Sequence, residues 1–311
     1  MPSHQRTTSE QLAVQTLQNC SDKEFIESFF SIVDKQRKEV PFLLNPVQAK
    51  LEEEWGQWNV VLKARKLGVS VLVGAKFLAR ILRFKNRNCV ILSYDKDASL
   101  RMLERTNWIL NHLPFKIKPE RESVHEFKIH DTNSKLFIGV AGSKAFGRGD
   151  DVTDLHISEF SFWEDTTMFT GIMEALVPGA FVCVESTANG PANEFAKLYW
   201  KGAKGGSKWK SHFFPWFVDP ELVEPLPAGF THTEEEFNLK AKFDLTDEQI
   251  MWRRQKIADM TEPELFPQEY PATPEESFII LGNCVFDKKA VLNYERMVSY
   301  PEMVGYLSVH A

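Results

Sequence analysis

Residues 60–70 read V-V-L-K-A-R-K-L-G-V-S, a β-branched run that breaks into a short basic loop. The loop closes on Gly68-Val69-Ser70 and runs into an apolar stretch of helical spacing, Val71 to Leu82. A strand, a glycine turn and a helix N-terminus in that order hold a nucleotide phosphate, because free backbone N–H groups and the helix dipole converge on the anion. In the usual phosphate loop a Lys follows the last Gly; here that position is Val69. Positive charge comes instead from the front of the loop, at Lys63, Arg65 and Lys66.

The surrounding chain is long and apolar enough to build a core around such a site. Its 311 residues, 43% of them hydrophobic, suit one large α/β domain or a main domain with a smaller satellite. The net charge of −6 means that a nucleic-acid partner has to be met by a local basic face. Cys20, Cys89, Cys183 and Cys284 are scattered with no C-x-x-C pair, which argues against zinc or a disulfide framework and for reduced thiols in a cytosol. No apolar run approaches the roughly 18 residues of a membrane span, so a soluble intracellular protein is expected.

Residues 9–40 carry a helical three-to-four spacing, with Ser21-Asp22 as N-cap, and Asn45-Pro46 opens a short helix over 47–55. From Asn59 onward short apolar runs recur at Val60–Leu62, Cys89–Ser93, Leu136–Val140, Leu155–Ile157 and Phe181–Val184. Amphipathic stretches at 70–84, 97–113, 166–176 and 192–202 lie between them, the alternation of a mostly parallel sheet covered on both faces. A hairpin joins 125–130 to 136–140. Prolines at 215, 220, 225 and 227 mark a shift in composition, followed by an acidic helical stretch, Thr233 to Met260. Prolines at 263, 267, 271 and 274 then predict an extended linker over 262–280.

Four further segments carry chemistry. D-L-H-I-S-E, 154–159, reads as a strand delivering Glu159 to polarise an attacking water, with Ser158 where a magnesium-associated Asp is usual. The alternative is a strand running into an acidic helix cap. E-S-T-A-N-G, 185–190, is either a turn or a sensor in which Thr187 or Asn189 reports on the γ-phosphate. G-R-G-D-D, 147–151, presents Arg148 either as a finger for a neighbouring site or as an exposed loop cation paired with Asp150 or Asp151, with Lys144 as an alternative finger or DNA contact. Gln48 has an amide able to read an adenine edge, or simply starts a helix in solvent.

The order of these segments is that of an additional-strand P-loop ATPase, and the chain resembles the large terminase subunit of tailed bacteriophages. The resemblance rests on L-N-P-V-Q, K-A-R-K-L-G-V-S, F-G-R-G…L-H-I-S-E-F-S-F-W, E-S-T-A-N-G and the phrase F-P-Q-E-Y-P-A-T-P-E-E-S-F, and covers about residues 40–290. It implies an α/β P-loop NTPase of the additional-strand, RecA-like type, with a mostly parallel sheet flanked by helices and a small helical lid. The implied organisation is an N-terminal helical segment (1–45), an ATPase core (46–205), a lid or linker subdomain (206–275) and the start of a linker to an absent nuclease domain (276–311).

The resemblance further implies an ATPase that uses ATP and Mg²⁺ to drive double-stranded DNA into procapsids, with no nuclease activity in this chain. Lys63, Ala64, Arg65, Lys66, Leu67, Gly68, Val69 and Ser70 would form the Walker A loop, with Lys63 or Arg65 replacing the missing lysine and Ser70 on the metal. Glu159 would be the catalytic carboxylate and a metal-side group, Gln48 the adenine contact, and Thr187 to Asn189 the coupling motif. Asp154 or Glu185 would compensate for Ser158. Arg148 would act in trans within a ring seated on the procapsid portal, alongside the small terminase subunit, in the host bacterial cytoplasm. DNA contact is expected to be weak and non-specific. Basic residues at 80–87 read as a solvated helix face, and those at 197–210 as a solvated face or a contact with DNA or a neighbour. Competing readings are a catalytically weak structural or docking ring component and a helicase-like ATPase.

Overall fold

The strand–loop–helix at 60–82 forms as its sequence predicts. In a computed structural model of the chain, β3 (Trp58–Lys63) is followed by a tight loop and by α3 (Val69–Arg83). The structure describes residues 19–34, 36–117, 119–120, 125–141 and 151–278, the pair 119–120 by backbone alone. All of these fall within one compact unit, Met1–Ile279. Gly68 caps α3 from the left-handed region, φ 81°, where an L side chain is strained by roughly 1–2 kcal/mol.

An eight-stranded sheet has the order β10-β3-β9-β8-β4-β7-β6-β5. It contains β4 (Asn88–Ser93), β5 (Pro119–Glu120), β6 (Glu126–Ile129), β7 (Ser134–Val140), β8 (Val152–Ser158), β9 (Leu176–Ser186) and β10 (Trp209–Phe214). The strands from β10 to β7 are parallel, and β6 pairs antiparallel with β7 as the expected hairpin. One strand, β9, lies between the loop-bearing strand β3 and the strand β8 that leads to Glu159. The two predicted phosphate-site strands are therefore not adjacent; an additional strand separates them.

Side-chain alternation sends residues to two cores. Val61, Ile91, Ile138 and Cys183 face α3 and its neighbours, while Val60, Leu62, Val90, Leu155 and Val184 face the opposite layer. α4 (Lys96–Asn111) contacts the sheet on α3's side, and α6 (Glu194–Ala203) packs its Phe195 and Tyr199 into the second core. α5 (Thr167–Met173) contributes Ile172 to that core. Among the described residues no helix is long and apolar enough to cross a membrane.

Several expectations are corrected. Residues 9–40 do not read as helix throughout: α1 (Asp22–Phe29), capped by Ser21, gives way to an antiparallel pair, β1 (Ser31–Val33) and β2 (Glu39–Pro41), ahead of the expected short helix α2 (Pro46–Glu54), capped by Asn45. The sheet runs past residue 205, because β10 lies in the stretch whose prolines suggested a satellite. The segment 262–278 is not extended. Pro263, Pro267 and Pro274 each sit at the start of a short helical turn, where a missing N–H costs nothing. Phe266, Tyr270, Ala272 and Phe278 bury themselves against the body. The acidic stretch forms α7 (Glu234–Phe243) and α8 (Asp247–Asp259), and Trp252 of α8 stacks on the buried Trp216 with ring centroids 5.1 Å apart.

The basic residues at 80–83 are neither a solvated face nor a DNA contact. Arg80 and Arg83 bond to Asp22, and Arg80 also reaches Asp154. Lys76 joins them through Asp22 at 2.8 Å and Glu52 at 2.6 Å. Burial opposes the charge on Asp22, but these three cations hold its pKa below the usual carboxylate range. Asp22 thereby docks α1 on α3, while Asp154, in the N-terminal half of β8 and away from Ser158, is committed to Arg80.

His212 of β10 is buried and its Nε2 lies 3.0 Å from Asn59 Oδ1, which also accepts from Gly56 N–H, so the ring donates there. Burial, helped by the Lys210 charge and opposed by Glu54, lowers its pKa to about 4. A histidine whose folded pKa lies below its unfolded value resists protonation only when folded, so stability falls as pH drops below about 6.5 and levels off near 4. Between pH 7.5 and 5 this group should cost about 2 kcal/mol. His212→Gln, which keeps a donor without titrating, should remove that component from urea unfolding curves at the two pH values.

Candidate active site

Parallel strands present their C-terminal ends along one edge, and β3, β8 and β9 bring Lys63, Ser158-Glu159 and Glu185-Ser186-Thr187 to it. Strand register sets Ser158 beside Glu185, and Leu62 beside Ser186. The N-terminus of α3 points its first turn at the same edge. Gly68 offers no side chain to cap that turn, so the first N–H groups of α3 are open to an external acceptor.

Lys63 lies between two carboxylates. Its Nζ is 3.2 Å from Glu159 Oε1 and 3.1 Å from Glu185 Oε2. Burial works against the ammonium, yet Glu159 and Glu185 outweigh it and raise the Lys63 pKa. Glu185 is fully buried and also accepts hydrogen bonds at Oε1 from Ser70 Oγ, 2.6 Å, and Ser158 Oγ, 2.7 Å. His156 Nε2 lies 3.4 Å from the same oxygen. Burial would raise the Glu185 pKa, but Lys63, His156 and Ser70 lower it.

Glu159 differs from Glu185 in access. Its side chain keeps 28% of its surface exposed, against none for Glu185. Its φ of 53° is unusual for a residue with a long side chain and marks a conformation held by its surroundings. Glu159 Oε2 accepts from Ser186 Oγ at 3.2 Å. Ser186 in turn meets Ser161 Oγ at 2.6 Å, and Ser161 donates to the Thr187 carbonyl.

The remaining candidates sit around this centre. Arg65 turns outward: its Nε is 2.5 Å from Glu269 Oε2 and its N–H donates to the Glu269 carbonyl. Ala64 N–H is taken by the Phe214 carbonyl. Lys66 is exposed with φ 64°, while Leu67 and Val69 are buried in the core. Gln48 is buried; its Nε2 donates to the Gly68 carbonyl at 2.8 Å and its Oε1 accepts from Asn45 N–H in a capping box. Two of its four amide bonding positions are thus taken, one bracing the loop at Gly68 and one capping its own helix. Thr187 is buried, and Asn189 donates to the Ser161 carbonyl, so both hold the turn after Glu159 rather than touching Lys63. Arg148 and Lys144 lie outside the described residues.

No protein-family model matches the sequence, and no curated protein matches it. Solved structures do. The HK97 bacteriophage large terminase superposes with a TM-score of 0.58 at 16% identity, covering 80% of this chain. The large terminase ATPase domain of Thermus phage P74-26 does so with a TM-score of 0.51 at 14% identity, covering 72%. The chain has the fold of a phage large terminase ATPase domain. It spans 53% of the HK97 terminase chain and 91% of the P74-26 terminase ATPase domain. The terminase fold places the loop at 63–70 and the strand ends at 158–159 and 185–187 on one edge.

Neither motif nor spacing points to Ser186 and Ser161, which connect Glu159 to the Thr187-Asn189 tip, or to Glu269, which engages Arg65. Ser186 and Ser161 are ordinary serines until strand register and the turn after β8 set them side by side. Glu269 lies some 200 positions beyond its partner.

Proposed function

We propose that the chain is the ATP-hydrolysing motor domain of a phage large terminase, driving double-stranded DNA into procapsids. The observation that carries this reading is the placement of Lys63 and a partly exposed Glu159 within ion-pair distance at the open N-terminus of α3. The fold is that of a terminase ATPase domain, and Lys63 supplies a buried cation where Val69 offers none.

The first-turn N–H groups of α3 and the Lys63 ammonium would hold the β- and γ-phosphates, with Gln48 bracing the loop and reading adenine with its unused amide positions. An arriving triphosphate competes with Glu159 for Lys63. As the ammonium turns to phosphate, Glu159 is left with Ser186 as its donor and its open oxygen accepts a hydrogen bond from the attacking water. The water oxygen would bond the γ-phosphorus as the β–γ bridge breaks and ADP leaves with the bridge oxygen, while the Glu159 carboxylate takes the proton that the water loses. Magnesium, bound with the phosphates and held by Ser70, would neutralise charge developing on the bridge oxygen. Among the described residues no group of three or more His, Cys, Asp or Glu side chains is placed to hold a metal unaided.

Ser161, Thr187 and Asn189 would pass the state of Glu159 to the surrounding turn, and Arg148 would reach a neighbouring subunit of a ring on the portal. The exposed lysines at 201, 204 and 208 suit weak, salt-sensitive contact with a DNA backbone. The small terminase subunit and the bacterial cytoplasm complete this reading.

A test of the phosphate site is Gly68→Ala. A Cβ there would lie 2.8 Å from Gln48 Nε2 and demand φ 81° of an L residue. Affinity for a fluorescent ADP analogue should fall by about tenfold or more with secondary structure retained. Unchanged affinity in a folded variant would remove the phosphate-site reading.

A further inference from the structure

Ser158 occupies the strand position from which a phosphate-loop ATPase ordinarily presents an aspartate to the metal. We infer that Glu185, on the neighbouring strand β9, supplies the missing carboxylate to the magnesium shell, and that Ser158 holds it there. This rests on the proposed nucleotide site and names a further residue of it.

Three observations converge. Glu185 Oε1 accepts from the hydroxyl of Ser70, the loop residue expected to bind magnesium, at 2.6 Å. A carboxylate hydrogen-bonded to that hydroxyl stands at the edge of the metal's coordination shell, within reach of a metal-bound water. Next, β9 is inserted between β3 and β8, so its residues lie one strand nearer the loop than Ser158 does. The register Ser158–Glu185 puts the pair side by side, and the Ser158 hydroxyl donates to the same oxygen at 2.7 Å. An aspartate at 158 would instead confront Glu185 with a second negative charge. Finally, Glu185 Oε2 is buried without a well-aligned hydrogen bond, and the Lys63 ammonium lies 3.1 Å from it. The position carries cationic charge now, as it would with a metal nearby. Asp154, the other acidic candidate, is consumed by Arg80.

The position of this carboxylate differs from the usual one by a strand, and the test exploits that. Affinity for the fluorescent ADP analogue is measured with Mg²⁺ and with EDTA for wild type, Glu185→Gln and the double variant Ser158→Asp/Glu185→Gln, with folding checked by circular dichroism. Wild type should bind about tenfold or more tighter with Mg²⁺. Glu185→Gln should lose most of that ratio, and the double variant, with the carboxylate moved across to β8, should regain it. A folded Glu185→Gln that keeps the wild-type ratio overturns the inference, even if its affinity falls equally in both buffers, since that is the signature of a purely structural hydrogen bond. If Glu185→Gln does not fold, the double variant decides: a folded double variant without Mg²⁺ dependence overturns it. Wild type that binds no nucleotide in either buffer defeats the nucleotide site itself, and this inference with it.

Discussion

Glu159→Gln should lower ATP turnover by about a hundredfold or more while nucleotide affinity stays within about threefold. The substitution preserves shape. The Gln carbonyl still accepts from Lys63 or Ser186, so the αL turn that starts at 159 keeps its anchors. What disappears is the negative charge able to take a proton from water, and once Lys63 has turned from Glu159 to phosphate that charge counts chiefly as the water attacks. The loss should therefore fall on kcat. Steady-state phosphate release beside equilibrium binding of an ADP analogue separates the two effects. Equal turnover in wild type and variant would mean that the observed rate is background, and would favour a docking role for the chain.

Lys63→Met should both abolish nucleotide binding and destabilise the fold by about 3–5 kcal/mol. Removing the ammonium leaves Glu185 fully buried with only hydroxyl donors and the His156 ring beside it, and takes from Glu159 its ion-pair partner. The pH dependence should change sign with it. In the wild type the Glu185 pKa is depressed, so its contribution is present above the unfolded value near 4.5 and is lost on acidification. Without Lys63, the largest opposing influence, burial outweighs His156 and Ser70 and takes that pKa above the unfolded value, so the carboxyl gains stability from protonation at low pH and loses it as pH rises. Urea midpoints for Lys63→Met should thus rise from pH 8 to pH 5 relative to wild type. Adding Glu185→Gln should restore much of the stability without restoring nucleotide binding. A singly substituted variant as stable as wild type at pH 8 would show that the buried ion pair is not formed.

Much of this architecture was readable because it is encoded locally. Gly68 announces the loop, Asn45 and Ser21 cap their helices through neighbours three residues away, and the buried strands 60–62, 89–93, 155–157 and 181–184 stand out as apolar runs. Misreadings fall where a residue's fate is decided far along the chain. Arg80 and Arg83 look like a solvated basic face until Asp22, about sixty positions earlier, is folded against them. The short pair 31–33 and 39–41 sits within a run whose apolar spacing also suits a helix. Prolines at 263, 267 and 274 break the chain equally well into an extended linker or into helical turns, and only the burial of Phe266 and Tyr270 decides between them. At the site, Lys63 and Glu159 were visible from spacing. Which cation faces inward was not, because that depends on Glu269 drawing Arg65 away.

The anchoring of the phosphate loop has a mechanical consequence. Ala64 N–H ends on the Phe214 carbonyl, and Arg65 N–H ends on that of Glu269, backed by the ion pair between their side chains. Two distant stretches of chain thus grip consecutive residues of the loop. The stretch that supplies Glu269 is itself fastened to the sheet two residues later, where the Pro271 carbonyl accepts from Trp216 N–H just after β10, and Phe278 then packs against Phe195 and Tyr199 of α6. A shift of about an ångström at Glu269 is enough to lengthen an ordinary hydrogen bond beyond its working range, so the position of residues 64–65 is set by the ends of a strand and a turn that lie far along the chain.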